Sequence, residues 1–141
     1  MKRPVEVAVD SNFLMLPMVK RINLVSELDR LLTVRYRLVV PRCVVEELER
    51  LEARGRLLER RRARFALSLI KGLGIEVVDS PPSAGVDEAL AQGALSHGWV
   101  VATNDLGLKS KLRKLGVPVI CLRGGKKLTL EGGLEGLEAK A

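Results

Sequence analysis

Short apolar runs alternate along the chain with longer stretches in which apolar residues recur every three or four positions. The first run, Val5–Val9, stops at Asp10-Ser11-Asn12, residue types that cap helix N-termini. From Asn12 to Leu32 the apolar spacing is helical, and Pro17 is expected to end one short helix and open another. Leu38–Val40 predicts a second strand. Helices are predicted from Arg42 to Arg54 and from Arg56 to Lys71, broken at Gly55, with Ile75–Asp79 as a third strand before a turn at Pro81-Pro82. A helix over Asp87–His97, a strand over Trp99–Thr103, a helix over Asp105–Lys114 and a strand over Val117–Leu122 complete the pattern.

Strands and helices alternating in this way predict parallel pairing through right-handed crossovers. The expected fold is α/β: a three-layer α/β/α, Rossmann-like sandwich around a central, mainly parallel five-stranded sheet. Residues 1–125 read as the domain, and residues 126–141 as an edge strand, Lys127–Leu130, followed by a loose tail. A chain of 141 residues, 47% hydrophobic, suits one domain with a core of its own.

Charge narrows the class of partner. Lysine and arginine total 24 against 17 acids, a net charge of +7, which favours a polyanion such as nucleic acid. Cys43 and Cys121 lie in apolar surroundings and read as buried free thiols. No apolar run has the length of a membrane span and the start has no signal-peptide pattern, so a cytoplasmic protein is expected.

The candidate chemistry rests on acids. Of five aspartates, Asp10 and Asp105 stand just beyond the carboxyl ends of the first and fourth predicted strands, the edge at which parallel sheets bind ligands. Asp87, in the first turn of the helix before the fourth strand, can approach the same crevice. On the helix at 42–54, Val44, Leu48 and Leu51 mark the buried face; Glu47 lies roughly 70° from it and Glu46 nearly opposite, so Glu47 is preferred. Four carboxylates in a partly dry cleft need protonation or a cation, and oxygen-only ligation favours Mg²⁺ or Mn²⁺ over zinc. Such ions suit in-line displacement at a phosphodiester. Each of these aspartates also has an ordinary reading as a helix-capping acid.

The segments VAVDSN, PRCVVEELERL, VDEAL and VVATNDLGLKSKLRKLGVPVICL resemble, in order and spacing, the motifs of PIN-domain proteins. The resemblance runs from about Val5 to Leu122 and is nearest the archaeal rRNA-processing and VapC toxin-like types. It implies a Mg²⁺- or Mn²⁺-dependent endoribonuclease whose catalytic and metal-binding acids fall on Asp10, Glu47, Asp87 and Asp105. It also implies a polar helper at Thr103 or Asn104, with Asn104 placed to orient an acid or water. Where many members carry a further acid, this chain has Gly107. The alternatives it opens are a catalytically weak RNA-binding or ribosome-assembly protein and the toxin half of a toxin–antitoxin pair.

Basic residues suggest where RNA would lie. Seven arginines and two glutamates occur between Arg50 and Arg64, a run that reads either as a solvated face or as phosphate contacts, and Arg62 shares the spacing of Leu58, Phe65 and Leu69. Lys109, Lys111, Arg113 and Lys114, on the helix after Asp105, are the favoured RNA contacts. The apolar positions of the Asn12–Leu32 segment suit core packing or a homodimer face equally. His97 reads as a helix-end residue and Trp99 as core. Gly124-Gly125-Lys126-Lys127 lacks the Walker spacing of a phosphate loop.

Overall fold

The computed structural model describes residues 3–80 and 85–134. The turn expected at Pro81-Pro82 and the tail beyond residue 134 lie outside them. In chain order the elements are β1 (Val5–Val9), α1 (Ser11–Leu14), α2 (Leu16–Lys20), α3 (Leu24–Leu31), β2 (Tyr36–Pro41), α4 (Arg42–Arg54), α5 (Leu57–Gly72) and β3 (Glu76–Val78). They continue with α6 (Val86–His97), β4 (Val100–Ala102), α7 (Leu106–Lys114), β5 (Val119–Arg123) and β6 (Lys127–Glu131).

The sheet has the order β3-β2-β1-β4-β5-β6. Its first five strands run parallel, and β6 pairs antiparallel with β5, Arg123 opposite Lys127. The sheet therefore has six strands rather than five, because the edge strand read at Lys127–Leu130 pairs into it as β6, Lys127–Glu131. The sixth joins because Gly124 and Gly125 adopt φ of 65° and 74°, the left-handed pair that folds a tight hairpin and that glycine takes at little cost.

Each layer follows from burial on both sides of the sheet. Val7, Ala8 and Val9 are fully buried on the central strand β1, as expected of a strand covered on both faces. Phe13, Leu14, Leu28, Val44, Leu48 and Ala66 pack one face from α1 and α3–α5. Leu90, Ala91, Ala94, Leu108 and Leu112 pack the other from α6 and α7. Trp99 is buried in this second layer, and His97 stacks on it with ring centroids 5.3 Å apart. A Cβ on Gly93 would come within 2.2 Å of Cζ3 of Trp99, so the α6 helix can sit this close to the indole only with glycine there.

The segment after β1 divides into three helices rather than the two expected. Pro17 lies in the first turn of α2, where its missing N–H costs nothing. The further break comes at Arg21, with φ of 55°, and at Asn23, whose side chain accepts from the Ser26 N–H and caps α3. Both cysteines are free; Cys121 is buried, whereas Cys43 is only half-buried. Among the described residues no helix is long and apolar enough to cross a membrane.

Candidate functional site

Strands β1 and β4 lie side by side at the centre of the sheet, while the connections leaving them run to opposite sides. A crevice forms at the carboxyl edge of such a pair. Its floor holds Asp10, 5% exposed, directly after β1, with its own N–H bonded to the Ala102 carbonyl of β4. The residues Thr103-Asn104-Asp105 follow β4 at the same edge.

The Asp10 carboxylate is held from three directions. Oδ1 accepts the Ser11 N–H at 2.8 Å; Oδ2 accepts the Thr103 hydroxyl at 2.8 Å and Asn12 Nδ2 at 3.3 Å. Burial nevertheless dominates and pushes its pKa up from 3.8 to about 6, against the lowering effect of the Thr103 and Ser11 hydrogen bonds. The negative charges of Glu47 and Asp87 add smaller contributions to the rise.

Glu47 reaches this edge from α4. Its Oε1 accepts the Ser11 hydroxyl at 2.8 Å, tying α4 to the residue that also caps Asp10. Glu46 is exposed and Glu47 half-buried, the difference that their positions on the helix require. Asp105 is exposed. Its side chain caps α7 by accepting the Leu108 N–H at 2.9 Å, and its own N–H is given to Thr103 Oγ1 at 3.1 Å. Thr103 thus donates to Asp10 and accepts from Asp105, joining the two acids through one hydroxyl.

The remaining expected residues fall as follows. Asp87 is exposed in the first turn of α6 and lines an open cleft of about 850 Å³ with Glu46, Glu47, Arg50, Glu88 and Lys111. The Asn104 side chain is engaged elsewhere: its Oδ1 accepts the Leu122 N–H at 2.9 Å and anchors the loop to β5. The side chains that do contact Asp10 are Thr103 and Asn12, and Asn12 Oδ1 also accepts the Asn104 N–H at 2.9 Å. The signal for Asn12 is its place two residues after the acid, at the end of the VAVDSN segment.

Among the described residues no three acidic, histidine or cysteine side chains stand together as a preassembled metal group. The donor chemistry still fits a hard dication, since Asp10, Glu47 and Asp87 offer carboxylate oxygens and Ser11 and Thr103 hydroxyls beside them, and the cleft's one cysteine, Cys43, has among the described residues no second thiol or histidine near it to make a soft-metal set. Gly107 leaves the space beside Asp105 empty of a carboxylate; a Cβ there would lie 3.3 Å from Asp105 Oδ1.

The expected basic contacts are largely occupied. Lys109 Nζ is paired with Glu131 at 2.9 Å, Lys111 Nζ with Glu88 at 2.7 Å, and Arg113 donates to the Val117 carbonyl. Lys114 is exposed. Arg62 is half-buried on the inner side of α5 with Phe65 and Leu69, although Leu58, one turn earlier, is exposed.

Comparison with known proteins agrees with this fold. A family model described as a PIN like domain matches residues 7–125. The chain belongs to this PIN-domain family. It is 33% identical over 123 residues to Ribonuclease VapC9 of Archaeoglobus fulgidus, covering 87% of each chain. It is 30% identical over 126 residues to the rRNA-processing protein FCF1 of Saccharomyces cerevisiae, covering 87% of this chain and 62% of that one. Among solved structures, that of the PIN domain endonuclease Utp24 superposes with a TM-score of 0.75 at 29% identity, covering 91% of this chain and 92% of that one.

Proposed function

We propose that this chain is a divalent-metal-dependent endoribonuclease, with Asp10, Glu47, Asp87 and Asp105 as the acids that hold Mg²⁺ or Mn²⁺. The observation that carries the reading is the buried Asp10 carboxylate, raised to about 6 in front of two further acids at the carboxyl edge of a parallel sheet. Negative charge gathered in a low-dielectric floor is relieved by a cation. A bound dication supplies Lewis acidity and charge neutralisation at the phosphodiester.

The residues of the chain do the positioning. Ser11 fixes Glu47 and Asp10 with one residue, through its hydroxyl and its N–H. Thr103 holds Asp10 Oδ2 and the backbone of Asp105, setting the separation of the two strand-end acids. Asn12 locks the β1 loop to the β4 loop through the Asn104 N–H. Relatives named both as VapC ribonucleases and as FCF1 rRNA-processing proteins support an RNA substrate. They leave two classes of protein partner: a small antitoxin, or a ribosome-assembly factor acting during rRNA processing.

Gly107 favours a second reading, an RNA-binding assembly protein with weak turnover, because the position beside Asp105 carries no carboxylate. One experiment separates them. A panel of single-stranded and structured RNAs is incubated with Mn²⁺ or Mg²⁺, with an EDTA control and the Asp10→Asn protein alongside. Cleavage abolished by both controls is the expected result. RNA and metal binding without any cleavage would transfer the protein to the second reading.

A further inference from the structure

On the α4–α5 hairpin most of the arginines lack a carboxylate partner among the described residues. Arg50, Arg54, Arg56, Arg60, Arg61 and Arg64 are all exposed, and of the seven arginines from Arg50 to Arg64 only Arg64 has an ion-pair partner among the described residues, Glu52 at 3.4 Å. On α7, by contrast, Lys109 and Lys111 are neutralised by Glu131 and Glu88.

The spacing makes two stripes of this charge. Arg50 and Arg54 are four residues apart on α4, and Arg60 and Arg64 four apart on α5 with Arg61 beside them, so each pair shares one helix face, while Arg56 caps the start of α5 at the turn between them. The stripes are held together by a close turn. A Cβ at Gly55 would lie 2.6 Å from the Leu51 carbonyl oxygen and 3.0 Å from Glu59 Cβ, so glycine is what lets α5 fold back directly on α4. Arg50 lines the same cleft as Glu47 and Asp87, which makes the track continuous with the acidic site.

We infer that the α4–α5 hairpin is an RNA-binding arm that grips the phosphate backbone outside the scissile position, through Arg54, Arg56, Arg60 and Arg61. The inference rests on the RNA substrate proposed above and adds where that RNA runs. The stretch holds seven arginines and no lysine, the planar fork that pairs bidentately with phosphate, and among the described residues no ion pair occupies Arg54, Arg56, Arg60 or Arg61. An unneutralised arginine track costs self-repulsion in the free protein, and a polyanion relieves it.

The test reads binding rather than cleavage, so its failure is distinct from failure of the nuclease. Full-length protein in EDTA is titrated against a fluorescein-labelled RNA hairpin with a single-stranded tail, by anisotropy, over a series of salt concentrations. Arg54, Arg56, Arg60 and Arg61 are replaced together by glutamine, and in a second protein together by lysine. Each phosphate contact on a single strand contributes about 0.7 to the slope of log affinity against log salt. The glutamine protein is expected to lose about 3 from that slope and about a hundredfold in affinity at moderate salt, with an unchanged thermal melt; the lysine protein keeps the slope. Equal affinity and slope in the wild-type and glutamine proteins would overturn the inference. So would loss of binding to a polyglutamate probe with RNA binding intact, which would assign the arm to an acidic protein.

Discussion

Replacing Asp10 by asparagine should stabilise the metal-free protein at neutral pH while destroying its proposed chemistry. Burial pushes the Asp10 pKa from 3.8 up to about 6. An acid whose pKa is higher in the folded chain than in the unfolded one favours folding in its protonated form. Its contribution is complete below 3.8 and is lost as pH rises through about 6. At about 1.36 kcal/mol per unit, the ionised carboxylate costs the folded state about 3 kcal/mol at pH 8. Asparagine removes that cost, but an N–H₂ in place of Oδ2 faces both Thr103 and Asn12 Nδ2: the Thr103 hydroxyl can turn to accept, whereas the Asn12 hydrogen bond, worth about 1 kcal/mol, is forfeited. The net gain is about 1–2 kcal/mol, or roughly 3 °C of melting temperature for each kcal/mol in a chain of this size. Urea and thermal unfolding of both proteins in EDTA between pH 4 and pH 8 measure it. The advantage of the variant should shrink steadily toward acid and vanish near pH 4, and Mn²⁺ at pH 8 should stabilise the wild type alone. A variant less stable than wild type at pH 8, or a difference independent of pH, would refute the reasoning.

Thr103→Val removes the donor to Asp10 Oδ2 and the acceptor of the Asp105 N–H, and RNA cleavage should fall by about a hundredfold while Thr103→Ser retains most of it; single-turnover rates on one RNA make the comparison. Gly93→Ala drives a methyl group into Trp99 and should cost about 2 kcal/mol or more, visible in urea melts followed by the emission of the chain's one tryptophan. Tyr36, the one tyrosine, should ionise at about 12 because of burial first and the Asp29 carboxylate second. Ultraviolet titration should therefore move down in Asp29→Asn while staying above 10, the ordinary tyrosine value.

The order of elements was legible in the sequence because local periodicity and breakers set it. Helix α4 has the bounds read from its apolar face and from Gly55, and β1 ends at Asp10 as the capping triplet indicated. Asp10 and Asp105 could be picked out because a residue just after a parallel strand must emerge at the ligand edge, and Glu47 because a helix separates adjacent residues by about 100°. The second break, at Arg21, was not legible, since it depends on a left-handed residue and an asparagine cap with no proline or glycine to mark them.

Only the tertiary structure decided which polar groups meet. Thr103 and Asn104 are neighbours of similar polarity, yet successive residues leaving a strand point to opposite sides, and the pairing of β4 between β1 and β5 turned Thr103 to Asp10 and Asn104 to Leu122. The basic residues on α7 looked available in the sequence, but Glu88 and Glu131, brought from α6 and β6, neutralise Lys111 and Lys109. Local spacing acts along one element, whereas charge pairing and the rise in the Asp10 pKa depend on partners distant in sequence. The pattern along the chain therefore determined the fold class and the candidate acids, and the packing of separate elements determined their hydrogen bonds and which positive charges remain free.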